Sequence, residues 1–485
     1  MSDVMDSGSE SSPWKYLPFQ LGECEDLENY EPGGFHPVHL GDVYDDRYRV
    51  IHKLGFGGFS TVWLARDALT NRWVALKIVV ARESPTYQAS TAIASHPSIT
   101  ESRLFAVVDR EFWFDGPNGR HLCLVYPVLG PDLSKLSKGI YTRIKPQFAR
   151  EISLSAARAL AYMHSNGLCH GDFTASNIAL RLIDGFNSYE EGDLLNQFGR
   201  PQTAPVQTYS GKPPGPHAPN YIVVPLDFSS SDTNVLSREI CVMDFDQSFT
   251  ATSPPTKRPG IPAKYLAPEV AIGRPASPAS DVWALGCAIF RIRSGDDLFF
   301  DYDTDSPADA LRQIVKAVGE LPEKWKQTKF DEEGFPVVEG EGSEVFWSLE
   351  GTQPLDSRVR AIVDEPAGLF INSRGEALEA ADMDGEPEAA MFDDDAALRV
   401  PYPAALSSMV WKPTAICIDG GYFTAYSDET YDMLEAFPRI AGSEASLLVD
   451  LLSKIFTILK NVMFETGGKS FLFVFDNAEI DQAVK

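Results

Sequence analysis

The sequence predicts an α+β fold of two lobes, a small β-rich one followed by a larger helical one. Three observations carry that reading. Short β-branched and aromatic runs, broken by turn residues, fill the first third of the 485-residue chain. From Pro146 the apolar period lengthens to that of a helix. The hydrophobic share of 44% is enough to bury a sizeable core.

Residues 1–45 are polar and rich in Gly, Pro and acidic side chains. They read as a partly disordered leader that orders near "GGFHPVHLGDVY". The β lobe is assigned to 46–129. In "RYRVIHKLGFGGFSTVWLARDALTNRWVALKIVV", from Arg47 to Val80, turns at "GFGG" and "LTN" separate three antiparallel strands. A strand pair, "RLFAVVDREFWF" and "HLCLVYPVL", brackets "DGPNGR".

The helical lobe is assigned to 130–326. Phe148, Ile152, Ala156, Ala159 and Met163 share one helix face, and Gly167 ends that helix. "SDVWALGCAIFRIRSG" is a second helix, with Ser280 as its cap and Gly295 as its stop. In "SPADALRQIVKAVG", Ser306 and Asp309 form a capping box around Pro307. Residues 184–237 read as an irregular insert in this lobe and 327–445 as an acidic irregular insert. The latter holds nine acidic and no basic residues between Glu376 and Asp395, a pattern typical of a solvated loop. A C-terminal helix near Ser446–Phe456 and a divergent tail complete 446–485.

Composition excludes several classes of function. No basic-apolar leader and no long uncharged apolar run is present, so a soluble, unsecreted chain with no membrane partner is expected. Six cysteines without C-x-x-C spacing fit a reducing compartment and not structural zinc. A net charge of −27 argues against direct nucleic-acid binding and favours a basic partner.

Five motifs point to phosphoryl transfer. In "LGFGGFSTV", Gly55, Gly57 and Gly58 let backbone amides approach phosphate oxygens, although a Gly-rich hairpin turn explains the same residues. "VALK" then presents Lys77 from a strand. In "HGDFTASN", Asp172 is placed to accept a hydroxyl proton and Asn177 to hold a metal. In "CVMDFDQSF", Asp244 ends an apolar strand and is the second metal ligand, preferred over Asp227 of "PLDF", which lacks a preceding strand. The last is "GIPAKYLAPEV", with Ala267-Pro268-Glu269, followed by Asp281 at the start of "DVWALGC".

In this order the five resemble the eukaryotic protein kinase set. "GGFHPVHLGDVYDDRYRVIHKLGFGGFSTVWLA", "TAPVQTYSGKPPGPHAPNYIV" and "GIPAKYLAPEVAIGRPASPASDVWALGC" resemble the SR-protein kinases, particularly their fungal branch. The resemblance spans about Tyr30–Phe335. It implies a bilobal kinase fold, ATP and Mg²⁺ as cofactors, and γ-phosphoryl transfer to serines of basic Arg-Ser-rich proteins in splicing regulation. It further implies a monomer of cytoplasm and nucleus. Residue by residue, it places Leu54, Gly55, Gly57, Gly58 and Val62 over the nucleotide and Ala75 against adenine. Lys77 goes to the α/β-phosphates, Tyr126 to the gatekeeper position and Leu129 to the hinge amide. Asp172, Lys77 and Thr174 form the catalytic set, and Asn177 and Asp244 the metal pair.

Five departures stand beside it. Gly171 replaces an Arg that pairs with a phosphorylated loop. Thr174 replaces a γ-phosphate Lys, a loss of about 1.5–3 kcal/mol. Asp246 stands where the family has Gly. The stretch after Lys77 offers only Glu83 and Glu101 as its ion-pair partner, and no Arg after Arg439 remains to pair with Glu269. A pseudokinase scaffold is therefore the alternative. A small-molecule kinase of the aminoglycoside or choline type shares "HGD" and the following Asn177 but lacks the Ala-Pro-Glu segment.

Overall fold

The fold is described from a computed structural model. It covers residues 14–19, 21, 24–85, 87, 96, 102–137, 143–228, 235–255, 260–299, 305–337, 342–344, 351–363, 369–371, 409–411, 415–417 and 439–458. The chain divides into two compact units, one drawn from 1–89, 107–128 and 182–231, the other from 90–106, 129–181 and 232–485.

The first unit is built on a six-stranded sheet in the order β1-β2-β3-β4-β6-β5. Its strands are β1 (Val43–Tyr44), β2 (Tyr48–Gly57), β3 (Ser60–Asp67), β4 (Arg72–Val79), β5 (Arg110–Gly116) and β6 (Gly119–Pro127). Alternation sorts their side chains. Tyr48, Val50, Trp63, Ala65, Val74, Leu76, Ile78, Cys123 and Val125 form a core on one face. The register Gly55↔Val62↔Lys77 puts those three in one row, and Leu64, Ala75 and Tyr126 form the next.

The leader and the 184–237 insert differ from expectation. The leader is folded already from Trp14 in the described residues, ahead of the expected ordering near "GGFHPVHLGDVY", and the insert, as far as residue 231, belongs with this first unit and not with the helical lobe. Tyr16, Leu27, Tyr30 and Phe35 of the leader pack with Val80 and with Val206, Ala218 and Ile222 of the insert. A buried ion pair ties Glu25 to Lys53, and the Tyr30 hydroxyl donates to Glu25 at 2.5 Å. The insert itself forms a helix, Glu191–Phe198, closed by a Glu190/Asp193 capping box, and a hairpin of Thr203–Pro205 with Tyr221–Val223. Its Gly and Pro clusters occupy the turns between these elements.

The second unit is mainly helical. It contains α1 (Pro146–Ser165), α2 (Pro278–Ser294), α3 (Pro307–Val318) and α4 (Gly442–Ser453). A three-stranded sheet orders β7 (Leu129–Asp132), β9 (Ile178–Leu182) and β10 (Leu236–Val242) with β9 in the middle, and β8 (Leu168–Cys169) pairs with β11 (Phe249–Thr250). The Ser306/Asp309 box and Gly295 stop are as expected. The cap of α2 is not: Ser277 caps it, three residues earlier, and the Ser280 hydroxyl oxygen accepts from the Ser277 N–H as the other half of that box. Residues 104–106 also differ from the long strand expected at 103–114. Phe105 bridges Val242 and the Ala106 N–H donates to its carbonyl, so β5 begins only at Arg110. The final helix starts at Gly442, four residues ahead of Ser446. The acidic run 376–395 lies outside the described residues. Among the described residues no helix is long and apolar enough to cross a membrane.

Candidate active site

The β2–β3 hairpin of the first unit carries Leu54, Gly55, Gly57, Gly58 and Val62, with the turn at Gly58-Phe59. A Cβ added at Gly55, Gly57 or Gly58 meets no atom of the chain within 4 Å. None of the three has a positive φ. Packing and backbone strain therefore do not require glycine at these positions, and the open space beside them leaves room for close approach by a ligand. Lys77 lies across from Val62 on β4, half-buried, its ammonium 5.3 Å from the centroid of the Tyr87 ring. Ala75 is flanked by Leu64 and Tyr126. Glu83 sits in a turn, and Glu101, the other partner considered for Lys77, lies outside the described residues.

In the second unit "HGDFTASN" runs from the end of β8 to the start of β9. Asp281, buried in the first turn of α2, accepts from the N–H groups of His170 (2.7 Å) and Gly171 (2.9 Å) and from His164 Nε2 (3.0 Å). The loop is thus held by its backbone. The Asp172 N–H donates to His170 Nδ1 at 3.2 Å, which leaves His170 Nε2 to donate to the Met243 carbonyl at 3.1 Å. Burial lowers the His170 pKa, in keeping with this neutral ring.

Asp172 and Asn177 are brought together. The Asn177 side-chain nitrogen donates to Asp172 Oδ2 (2.8 Å) and to the Asp172 carbonyl (2.9 Å). Asp172 Oδ1 is buried with no hydrogen-bond partner among the described residues. Burial pushes the Asp172 pKa up to about 7; the bond from Asn177 opposes this, and the nearby Asp244, Asp246 and Asp281 add to it. A carboxylate with one free oxygen and such a pKa suits a general base near neutrality.

Asp244 follows β10 and Asn177 precedes its neighbour β9, the two linked by the Met243 N–H donating to the Asn177 carbonyl at 2.9 Å. With its nitrogen committed to Asp172, Asn177 offers an oxygen outward. That oxygen and the Asp244 carboxylate are hard donors of the kind Mg²⁺ selects. Asp244 has φ 63, a left-handed conformation uncommon outside glycine and often found at functional positions. Asp246 lies in the 3₁₀ turn Phe245–Gln247 with no positive φ, so the backbone there does not call for the family's glycine.

Gly171 and Thr174 are explained by the loop itself. Gly171 has φ +80, and a Cβ on it would come within 2.2 Å of the Gln247 carbonyl oxygen. An Arg cannot occupy this backbone. Gly171→Ala is expected to cost at least about 2 kcal/mol, from the left-handed conformation and the displaced Gln247, read as a lowered denaturation midpoint. Thr174, expected in the catalytic set, is 1% exposed and its hydroxyl pairs with Ser176 at 2.9 Å. Buried in this way, it packs the turn that leads to Asn177.

Leu129 opens β7 in the second unit, whereas Tyr126 belongs to β6 in the first. His164, His170 and Asp281 hold the loop in place, and the sequence motifs assign them no role. The available signal was an acid at a buried helix start. Cys169 lies with His164 and Asp281, but burial raises its pKa far from the thiolate range, and hydrogen bonding already explains the trio. Glu269 is 1% exposed, and neither carboxylate oxygen has a partner among the described residues.

The protein kinase domain family matches residues 48–186. Over 355 residues the chain is 28% identical to the serine/threonine-protein kinase SRPK of Physarum polycephalum, covering 68% of this chain and 78% of that one. It is 38% identical over 177 residues to serine/threonine-protein kinase spk-1 of Caenorhabditis elegans, covering 34% of this chain and 18% of that one. To SRSF protein kinase 3 of Homo sapiens it is 36% identical over 173 residues, covering 34% and 30%. The chain thus spans most of the Physarum relative but less than a third of the other two.

Proposed function

We propose that this chain is an SRPK-like serine/threonine protein kinase that transfers the γ-phosphoryl group of ATP, with Mg²⁺, to serines of Arg-Ser-rich proteins. The observation that carries the reading is the Asp172–Asn177 pair. It has one carboxylate oxygen left free, a pKa near neutrality, and the Asp244 carboxylate close enough to be felt.

Asp172 accepts the serine hydroxyl proton through Oδ1 and orients that hydroxyl. Asn177 fixes the other oxygen and, with Asp244, holds the metal ion, which neutralises phosphate charge when bound. Gly55, Gly57 and Gly58 supply backbone N–H groups to the phosphates, Lys77 supplies a cation, and Val62, Ala75 and Leu129 serve the base. Because His170 stays neutral and Asp281 pins its backbone, Asp172 is positioned before substrate arrives.

The net charge of −27 supports a strongly basic substrate, whose encounter rate the surface field raises. Such a substrate is consistent with work in splicing regulation, as a monomer of cytoplasm and nucleus. The test is incubation with Mg²⁺, labelled ATP and an Arg-Ser repeat peptide, beside a peptide with Ala for Ser. Label in the first peptide alone is expected. No label, together with a melting temperature raised by ATP, would replace the enzyme with a nucleotide-binding scaffold.

A further inference from the structure

A cavity of about 290 Å³ lies wholly within the second unit, walled by α1, α2 and α4, and shares no lining residue with the candidate active site. That volume is at the low end of small-molecule sites, about 300–1,000 Å³. Its apolar lining includes Ile289, Leu447, Leu448 and Leu451, and its charged lining is Arg150, Arg293 and Glu444.

The charges are arranged two against one. The Arg293 side chain, 4% exposed, grips Glu444 with Nε and Nη2 at 2.9 and 3.1 Å. Arg150 reaches the same carboxylate through Nη1 at 3.2 Å, with its side chain 37% exposed. Burial raises the Glu444 pKa, but the two guanidiniums outweigh it and hold the carboxyl below its ordinary value. One fixed anion is thus shared by two cations beside an apolar wall. A guanidinium carries five N–H donors in a fork that matches a carboxylate, and Glu444 engages one nitrogen of Arg150.

We propose that this cavity binds a small amphipathic carboxylate, its head on Arg150 and its aliphatic chain along Leu447, Leu448, Leu451 and Ile289. An inorganic anion would leave the leucines unused, and a neutral apolar molecule would leave Arg150 unused. The local excess of positive charge is notable because the chain as a whole is acidic, which disfavours anions everywhere else on average.

The test uses octanoate as probe, with octanol and octylammonium as length-matched controls, titrated into the full-length protein and followed by calorimetry. Octanoate is expected to bind saturably and at least about tenfold more tightly than octanol, the worth of one charge-assisted bond. Octylammonium is expected not to bind. Arg150→Gln is expected to bring octanoate down to the level of octanol and leave octanol unchanged. Leu447→Glu changes a residue that is 44% exposed at the rim. It places a second carboxylate in the cavity and is expected to abolish octanoate binding even if the Arg150 variant fails to fold. Equal affinity for octanoate and octanol, an Arg150→Gln protein that binds as before, or no saturable binding at millimolar octanoate would each overturn the proposal.

Discussion

Asp172→Asn is expected to lower the rate of peptide phosphorylation by about 10²–10⁴-fold with little change in the affinity for ATP. The asparagine keeps the shape that Asn177 and the His170 ring support, but it cannot take a proton through the atom now free, Oδ1. The pH profile separates this from general damage. In the native protein kcat is expected to rise about tenfold per pH unit below about 7, the range to which burial pushes the Asp172 pKa, and to level off above it. In the variant that limb should be absent. A variant with native kcat would show that Asp172 is not the base.

Glu269→Gln is expected to stabilise the protein at pH 8 and to change little at pH 4.5. Burial pushes the Glu269 pKa up to about 7, and the weak pull of its own backbone and of Arg274 does not offset this. The folded state therefore holds its proton where the unfolded chain has released it. Stability is lost as pH rises from the ordinary carboxylate value toward 7, and the deficit is constant above that, at about 3 kcal/mol for a shift of this size. A neutral amide escapes the charge penalty but keeps part of the cost of burying a polar group, so a gain of about 2 kcal/mol at pH 8 is expected, read by urea denaturation at both pH values. Destabilisation at pH 8 would mean that the carboxylate has a cationic partner in solution.

Local signals in the sequence marked much of this architecture. Ser306, Pro307 and Asp309 define a helix start by hydrogen bonding over four residues, and Lys77 and Val62 fall in register because a hairpin fixes strand pairing. Long-range contacts were harder to read. Nothing near Tyr16 or Leu27 announces Val206 and Ile222 as their neighbours, so the leader looked like an arm and the insert like a loop. The α2 cap was missed because Ser277 and Ser280 both fit the cap pattern, and only the hydrogen bonds distinguish the cap from its reciprocal partner. At the site, Asp172, Asn177 and Asp244 were legible from their spacing to strand ends. Gly171 reads in the sequence only as a missing Arg, whereas its positive φ and the Gln247 carbonyl show a backbone requirement. Asp281 supports the loop from 110 residues away through main-chain N–H groups, which leave no mark on side-chain pattern.

The three-piece makeup of the first unit sets an order of events during synthesis. Strand β6 is complete at Pro127, yet the hairpin strand that covers the leader ends at Val223. Roughly 100 residues separate them, on the order of 5–20 s at about 5–20 residues per second. For that interval Tyr16, Leu27 and Phe35 await Val206, Ala218 and Ile222, and α1 is made before those partners are. The sheet of the first unit is thus made well before the unit can close, and the nascent leader is the segment that a chaperone would have to shield.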